Sequence, residues 1–278
     1  VATTTLTPHQ RAVRSTVAMK ALMAITGLVL ILFLLMHMVG NLKMFMGAES
    51  FNHYAEWLKG EILYPIFPKG SFIWLFRLVL VACIVAHMYS AWVLTVRDRA
   101  ARGSNYVVTK RRAQTYSART MRWGGVILAG FLVFHLLQFT VKAITTGFAA
   151  SDDPYTIFVK SFSGSMGFMV IIYALWLVSV CMHVRHAVWS SLTTLGLNTS
   201  KRAAGVLNGI AVVVAVLLFL GFIAAPLALA ALMTPVTIWR KKSASAGRYC
   251  SPSTSRPSMN AENWLNVSSR LWRPTSIW

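Results

Sequence analysis

The sequence predicts an all-α integral membrane protein with five transmembrane helices, and three observations carry that expectation. Of 278 residues, 56% are hydrophobic, 12% are charged and only seven are acidic, a balance unlike that of soluble domains. The apolar residues fall in blocks: 22 uncharged residues lie between Lys20 and Lys43, 19 between Arg77 and Arg97, 19 between Arg122 and Lys142, 24 between Lys160 and Arg185, and 37 between Arg202 and Arg240. Each block suffices to cross a bilayer, which takes about 20 apolar residues. Four of the first blocks then each carry one histidine at nearly constant spacing, His37, His87, His135 and His183.

Taken in order, residues 1–20 form an N-terminal segment whose Arg11, Arg14 and Lys20 mark it as cytoplasmic under the positive-inside rule. The first apolar run is full length, has no small-residue cleavage pattern after it, and is expected to stay as a helix over 21–42. In the loop from Lys43 to Gly70, Phe51, Tyr54, Ala55 and Leu58 recur at helical spacing beside Glu49, Asn52, Glu56 and Lys59, which predicts a short amphipathic helix on the outer surface. A second span is expected over 72–96. Eight of the 27 basic residues follow between Arg97 and Arg122, which places that loop in the cytoplasm. The third span is expected over 123–146, Asp152 and Asp153 then face outside, and the fourth and fifth spans follow at 163–190 and 205–234. The membrane domain is thus 21–238. The polar, basic tail over 239–278 has no periodicity and is expected to be loosely ordered.

This distribution also excludes alternatives. A formal charge of +20 in a soluble chain would point to nucleic acid, but here the charge is concentrated in loops and tails beside apolar spans, so no nucleic-acid partner is expected. Cys83 and Cys181 fall inside spans and Cys250 in the tail, which implies no disulfide framework.

An imidazole inside a span is costly to bury and is expected to face the bundle interior with a partner. Helices enter alternately from opposite sides, so position along each helix gives depth. His37 lies late in an outward helix and His135 near the middle of another, whereas His87 and His183 both lie late in inward helices. The depths predict an outer pair, His37 with His135, and an inner pair, His87 with His183. Two facing neutral imidazoles suit a bis-His haem, and two such groups across a membrane would form an electron path, so the first four helices are expected to form a cofactor-binding bundle. Gly40, Gly124, Gly125 and Gly130 would give flat space near the outer pair. Bulky Tyr89, Trp92, Trp176 and Trp189 surround the inner one in sequence. A second reading stays open at the inner site: Cys83, His87, Cys181 and His183, with His186 one turn on, match the ligand inventory of a Rieske-type [2Fe-2S] cluster in place of haem.

The stretches Lys20–Leu28 and His37–Leu42 resemble the membrane anchor of succinate dehydrogenase, the respiratory complex II, of the single-subunit five-helix cytochrome b type. Phe51–Leu58, Ala118–Gly125, Phe134–Phe139, His183–Ser190 and Thr194–Asn198 are similar to that family in order and spacing, so the resemblance runs from about Arg14 to Pro235. Cys83, Cys181 and Ala187, where the family commonly has Gly, depart from its pattern. The resemblance implies an anchor in the bacterial cytoplasmic membrane for a flavoprotein and an iron-sulfur subunit, within an enzyme that passes electrons from succinate to membrane quinone, menaquinone being the expected species. It carries haem b ligation onto His37, His87, His135 and His183, and puts His186 beside the bound group rather than on its metal. Higher oligomers of the complex are compatible with it.

Quinone carbonyls need hydrogen-bond donors near a redox centre. The cytoplasmic candidates are Ser15, Lys20, Arg185 and Ser190. The outer ones are Asn41, Lys43, Glu49, His53 and Gln138, and spacing alone does not choose a side. The segments Arg11 to Lys20 and Arg97 to Arg122 offer a basic surface for an iron-sulfur subunit or for lipid headgroups. A function of a different class, a histidine-lined transporter or proton channel, would also use intramembrane imidazoles. It is disfavoured by the lack of internal repeats and of paired carboxylates within the spans.

Overall fold

The structure is a computed structural model that describes residues 7, 15–62, 64–101 and 116–246, with side chains given except at 116–120 and 232–246. Among the described residues there is no strand. The helices are α1 (Thr16–Leu42), α2 (Ala48–Gly60), α3 (Ser71–Ala100), α4 (Tyr116–Phe139), α5 (Pro154–Phe162), α6 (Met169–Thr194) and α7 (Lys201–Ala246). Short 3-10 turns at Lys43–Met46 and Gly164–Met166 precede α2 and α6. Five helices, α1, α3, α4, α6 and α7, are long and apolar enough to cross a membrane.

Local chemistry explains where these elements begin and end. The Ser15 hydroxyl accepts the Ala18 backbone N–H at 3.1 Å and so caps α1. Gly47, at φ 91°, separates the 3-10 turn from α2 in a backbone conformation that a side chain would oppose. The Asp153 carboxylate accepts N–H groups of Tyr155 and Thr156, and Pro154 occupies the first position of α5. Ser200 receives the Ala203 N–H at the start of α7.

Three of the expected spans differ from the observed helices. The third was expected to reach 146, but α4 stops at Phe139 because Thr140 and Val141 both turn their N–H groups back to the Leu136 carbonyl and Lys142 adopts φ 58°. The fourth was expected to begin at 163, and the apolar span does run Gly164–Thr194, but its first residues form the 3-10 turn and regular α6 begins only at Met169. The fifth, expected over 205–234, extends as backbone helix from Lys201 to Ala246, which takes in the first residues of the expected tail. The remainder of that tail, 247–278, the loop 102–115, and Arg11 and Arg14 lie outside the described residues.

The chain divides into two compact units. The first comprises Val1–Met36, Gly70–Leu128 and Val178–Phe219, and the second His37–Lys69, Ala129–Leu177 and Leu220–Trp278. In the first unit the buried side chains are small or aliphatic: Ala24, Ile31, Val184, Val188, Leu207, Ala211 and Leu218, with Thr26, Ser90 and Ser191 among them. Ser90 is fully buried and returns its hydroxyl to the Ala86 carbonyl at 2.7 Å, so its polarity is spent within its own helix. The second unit has a core of Met44, Tyr155, Phe158, Phe162, Met169, Val170, Ala225 and Leu229, against which Phe51 of α2 packs. There Gly221 and Met38 approach so closely that a Cβ at 221 would stand 2.2 Å from the Met38 sulfur.

The polar surface of the second unit is tied together by a two-way clasp. Asn52 of α2 donates to the Asp153 carboxylate at 2.6 Å, and its amide oxygen accepts the Tyr155 N–H at 3.0 Å. Burial pushes the Asp153 carboxyl up, but hydrogen bonds from Thr156 and Asn52 more than offset this and hold it below its ordinary value. Beside it Asp152 accepts from Lys160 at 2.9 Å and from the Ala149 N–H, which also lowers its carboxyl.

Candidate functional site

Each unit contains one histidine pair. In the first, α3 supplies His87 and α6 supplies His183, with ring centroids 6.4 Å apart and planes inclined at 63°. The His87 Nδ1 faces the Met23 carbonyl at 3.1 Å and the Thr26 hydroxyl at 3.3 Å, both on α1. A carbonyl only accepts, so this contact assigns the proton to Nδ1 and leaves Nε2 with its lone pair. The Thr26 hydroxyl is itself directed to the Leu22 carbonyl at 2.7 Å.

Small residues line this pair. A Cβ at Gly27 would come 3.3 Å from the His87 ring and 3.9 Å from the Ser191 hydroxyl, and one at Gly125 would come 3.9 Å from His183. Gly125 was expected near His135 and the inner pair was expected to lack glycines. The structure corrects both, because α4 passes His183 one turn or more before it reaches His135. Residues 23, 26 and 27 are the neighbours of His87 that sequence reading missed. Their signal was available, since Thr26 and Gly27 share a face of α1 with Met23.

In the second unit, α1 supplies His37 and α4 supplies His135, with centroids 5.9 Å apart and planes at 88°. Aromatic rings enclose them. Phe222 lies 5.8 Å from His37, while Phe131, Phe139 and Tyr173 lie 5.7, 5.2 and 6.3 Å from His135. Trp176, expected near the inner pair, packs on Phe131 and Phe134 in this unit instead. Gly40 does not open space beside His37, since the Tyr54 ring lies over it, 3.1 Å from where a Cβ would stand. Gly124 and Gly130 have nothing within 4 Å of a Cβ position.

The pairs that depth in the membrane put together are therefore the pairs that lie in contact. Their spacing has a chemical meaning. A metal–imidazole bond is about 2 Å and the ring centre lies about 1 Å beyond the nitrogen, so two rings on opposite sides of one ion have centroids about 6 Å apart. The Nδ1 atoms of His135 and His183 are buried and have no hydrogen-bond partner. A buried nitrogen left unpaired costs about 1–3 kcal/mol, so each of these two imidazoles carries an unmet polar requirement. Both centroid separations are those of one imidazole on either side of an ion.

Among the described residues no three or more His, Cys, Asp or Glu side chains converge to hold one ion. Cys83 and Cys181 are both free thiols.

The quinone candidates separate. Lys43 and His53 line one cavity of about 390 Å³ with Ser50, Tyr54 and Trp57. Asn41 and Glu49 are not among its lining residues. Gln138 is fully buried and engaged on both sides, donating to Thr146 at 2.6 Å and accepting from the Tyr173 hydroxyl. In the first unit Ser15 is a helix cap, Lys20 is exposed, Arg185 donates to Asn208 at 3.2 Å and Ser190 is half-buried.

The fold and site define a class, a helical protein with five helices long and apolar enough to cross a membrane and two half-buried histidine pairs. No protein-family model matches the chain, and no curated protein and no solved structure is significantly similar to it.

Proposed function

We propose that this chain is the membrane anchor and electron-transfer subunit of a succinate:quinone oxidoreductase in a bacterial cytoplasmic membrane, passing electrons from an iron-sulfur partner to menaquinone through two bis-His haem b groups. The observation that carries this reading is the pair of imidazole couples, each about 6 Å apart, each containing a buried nitrogen without a partner. The sequence resemblance of the flanking segments supplies the partners and the substrate.

His87 and His183 would hold one haem, and His37 and His135 the other. Haem supplies one-electron exchange without a change of ligand. The remaining work belongs to the protein. The Met23 carbonyl fixes the tautomer and the ring angle of His87, and Gly27 and Gly125 keep the adjoining helix surfaces low. The aromatic shell around His37 and His135 excludes water and confines both rings by packing. Succinate chemistry resides in the flavoprotein, so the chain alone oxidises no succinate. The N-terminal and 97–122 basic segments, on the cytoplasmic side, receive the iron-sulfur subunit.

The test is pyridine-haem, iron and acid-labile sulfide content of the complex purified with its partners, set against a Cys83→Ser, Cys181→Ser double variant. Two haems per copy, unchanged in the variant, are expected. Little haem, with sulfide that the variant loses, would instead place a [2Fe-2S] cluster in the membrane. Absence of both would favour a histidine-lined transporter or channel.

A further inference from the structure

The cavity beyond the end of α1 belongs to neither histidine pair. Its lining, Lys43, Ser50, His53, Tyr54 and Trp57, is unusual in composition: an ammonium, two hydroxyls, an imidazole and an indole N–H, with no carboxylate. Every one of these side chains offers a hydrogen-bond donor. The Lys43 ammonium has no carboxylate within ion-pair distance among the described residues, where the ion pairs are Arg122 with Asp98 and Lys160 with Asp152. It rests over the face of the Tyr54 ring, 5.2 Å from the centroid. Tyr54 in turn is braced against Gly40, where the absence of a side chain lets the ring lie on α1. A donor-rich, cationic pocket of this kind selects an anion.

Position identifies which anion. The pocket stands where the apolar span Thr16–Met46 ends and the amphipathic α2 begins. Lysine, tyrosine and tryptophan together are the residues that settle at the headgroup level of a bilayer. Phe45, Met46 and Trp57 are exposed beside it, an apolar surface that a free ion would not use and an acyl chain would. The geometry points to a site for the phosphate of an anionic phospholipid, with Lys43 as the charge partner, Ser50 and His53 as donors, and Trp57 and Tyr54 as the aromatic wall. The site is independent of the haem reading, since none of its residues is a proposed ligand.

Native mass spectrometry of the delipidated, detergent-solubilised complex, titrated with phosphatidylglycerol or phosphatidylcholine, tests it. One phosphatidylglycerol per chain is expected to be retained at concentrations where phosphatidylcholine is not. Lys43→Gln should weaken that retention about fivefold, the effect of one basic residue near an anionic surface, while Lys43→Arg restores it and Lys59→Gln, outside the pocket, leaves it unchanged. Equal retention of the two lipids would overturn the assignment, as would equal losses in the Lys43→Gln and Lys59→Gln variants. Displacement of phosphatidylglycerol by millimolar inorganic phosphate would also overturn it, by showing that the pocket takes a free anion.

Discussion

The two histidine pairs are built from the same side chain at nearly the same spacing, yet their surroundings differ. His87 is oriented by a backbone carbonyl and a hydroxyl, in surroundings of glycine, serine and threonine. His37 and His135 are oriented by ring packing, with Phe131, Phe139, Tyr173 and Phe222 around them. A directed hydrogen bond fixes a tautomer and tolerates movement of the neighbours, whereas an aromatic cage fixes position and depends on every wall. Substitutions should therefore act through polarity in the first unit and through volume in the second.

The sharpest way to separate the units is to remove one ligand from each. His135→Ala and His183→Ala should each lower pyridine-haem content from two per chain to one, and the optical component lost should differ between them. Loss of both components from either single variant would show that the pairs are not independent. A smaller effect is expected of Gly221→Ala, whose new methyl would collide with Met38. Overpacking of this kind costs about 1–3 kcal/mol, seen as a lower thermal midpoint, and a Met38→Ala second change should restore most of it. Thr26→Val removes a polar contact from His87 while keeping the shape. It should weaken haem retention at that pair by about tenfold, the lower end for a residue that orients a ligand, and leave the spectrum of the other pair unchanged.

The smallest effects belong to the clasp between α2 and α5. Asp153→Ala removes a helix cap, which costs about 1 kcal/mol, measurable as faster proteolysis in the 140–153 loop. The same clasp gives a pH dependence. Because the Asp152 and Asp153 carboxyls are held below their ordinary value of 3.8 in the folded chain, the stability they add is present above that value and is lost as pH falls through their lower folded values. Protection of the 140–153 loop from protease should thus hold from neutral pH to about 4 and fall below it.

The five spans were legible because uncharged runs of 19 residues or more have no other common explanation, and α2 because its apolar residues keep helical period. Helix ends inside apolar sequence were not legible. Residues 140–146 mix three threonines and Lys142 with Val141, Ala143 and Ile144, and the turned N–H groups of Thr140 and Val141 with the Lys142 backbone show that α4 does not continue through them. The start of α5 could have been read, since Asp153 followed by Pro154 is a helix-opening pair. At the site, one histidine per span was enough to pair the rings. Assigning Gly125 and Trp176 to the right pair needed their depth to within a helical turn, finer than the loop charges allow. The Met23 carbonyl was beyond sequence reading altogether, because a backbone acceptor leaves no mark on residue type.

The way each unit is stitched from three separated stretches also orders its biosynthesis. His37 and His135 are both polymerised before residue 136 is added, but the Phe222 ring beside His37 comes 87 positions after His135. His183 is the last of the four histidines to be made, and its neighbour His87 precedes it by 96 positions. The His37 and His135 pair therefore gains its Phe222 neighbour only once α7 has been made, and a chain truncated before α7 would emerge with all four histidines but without that ring.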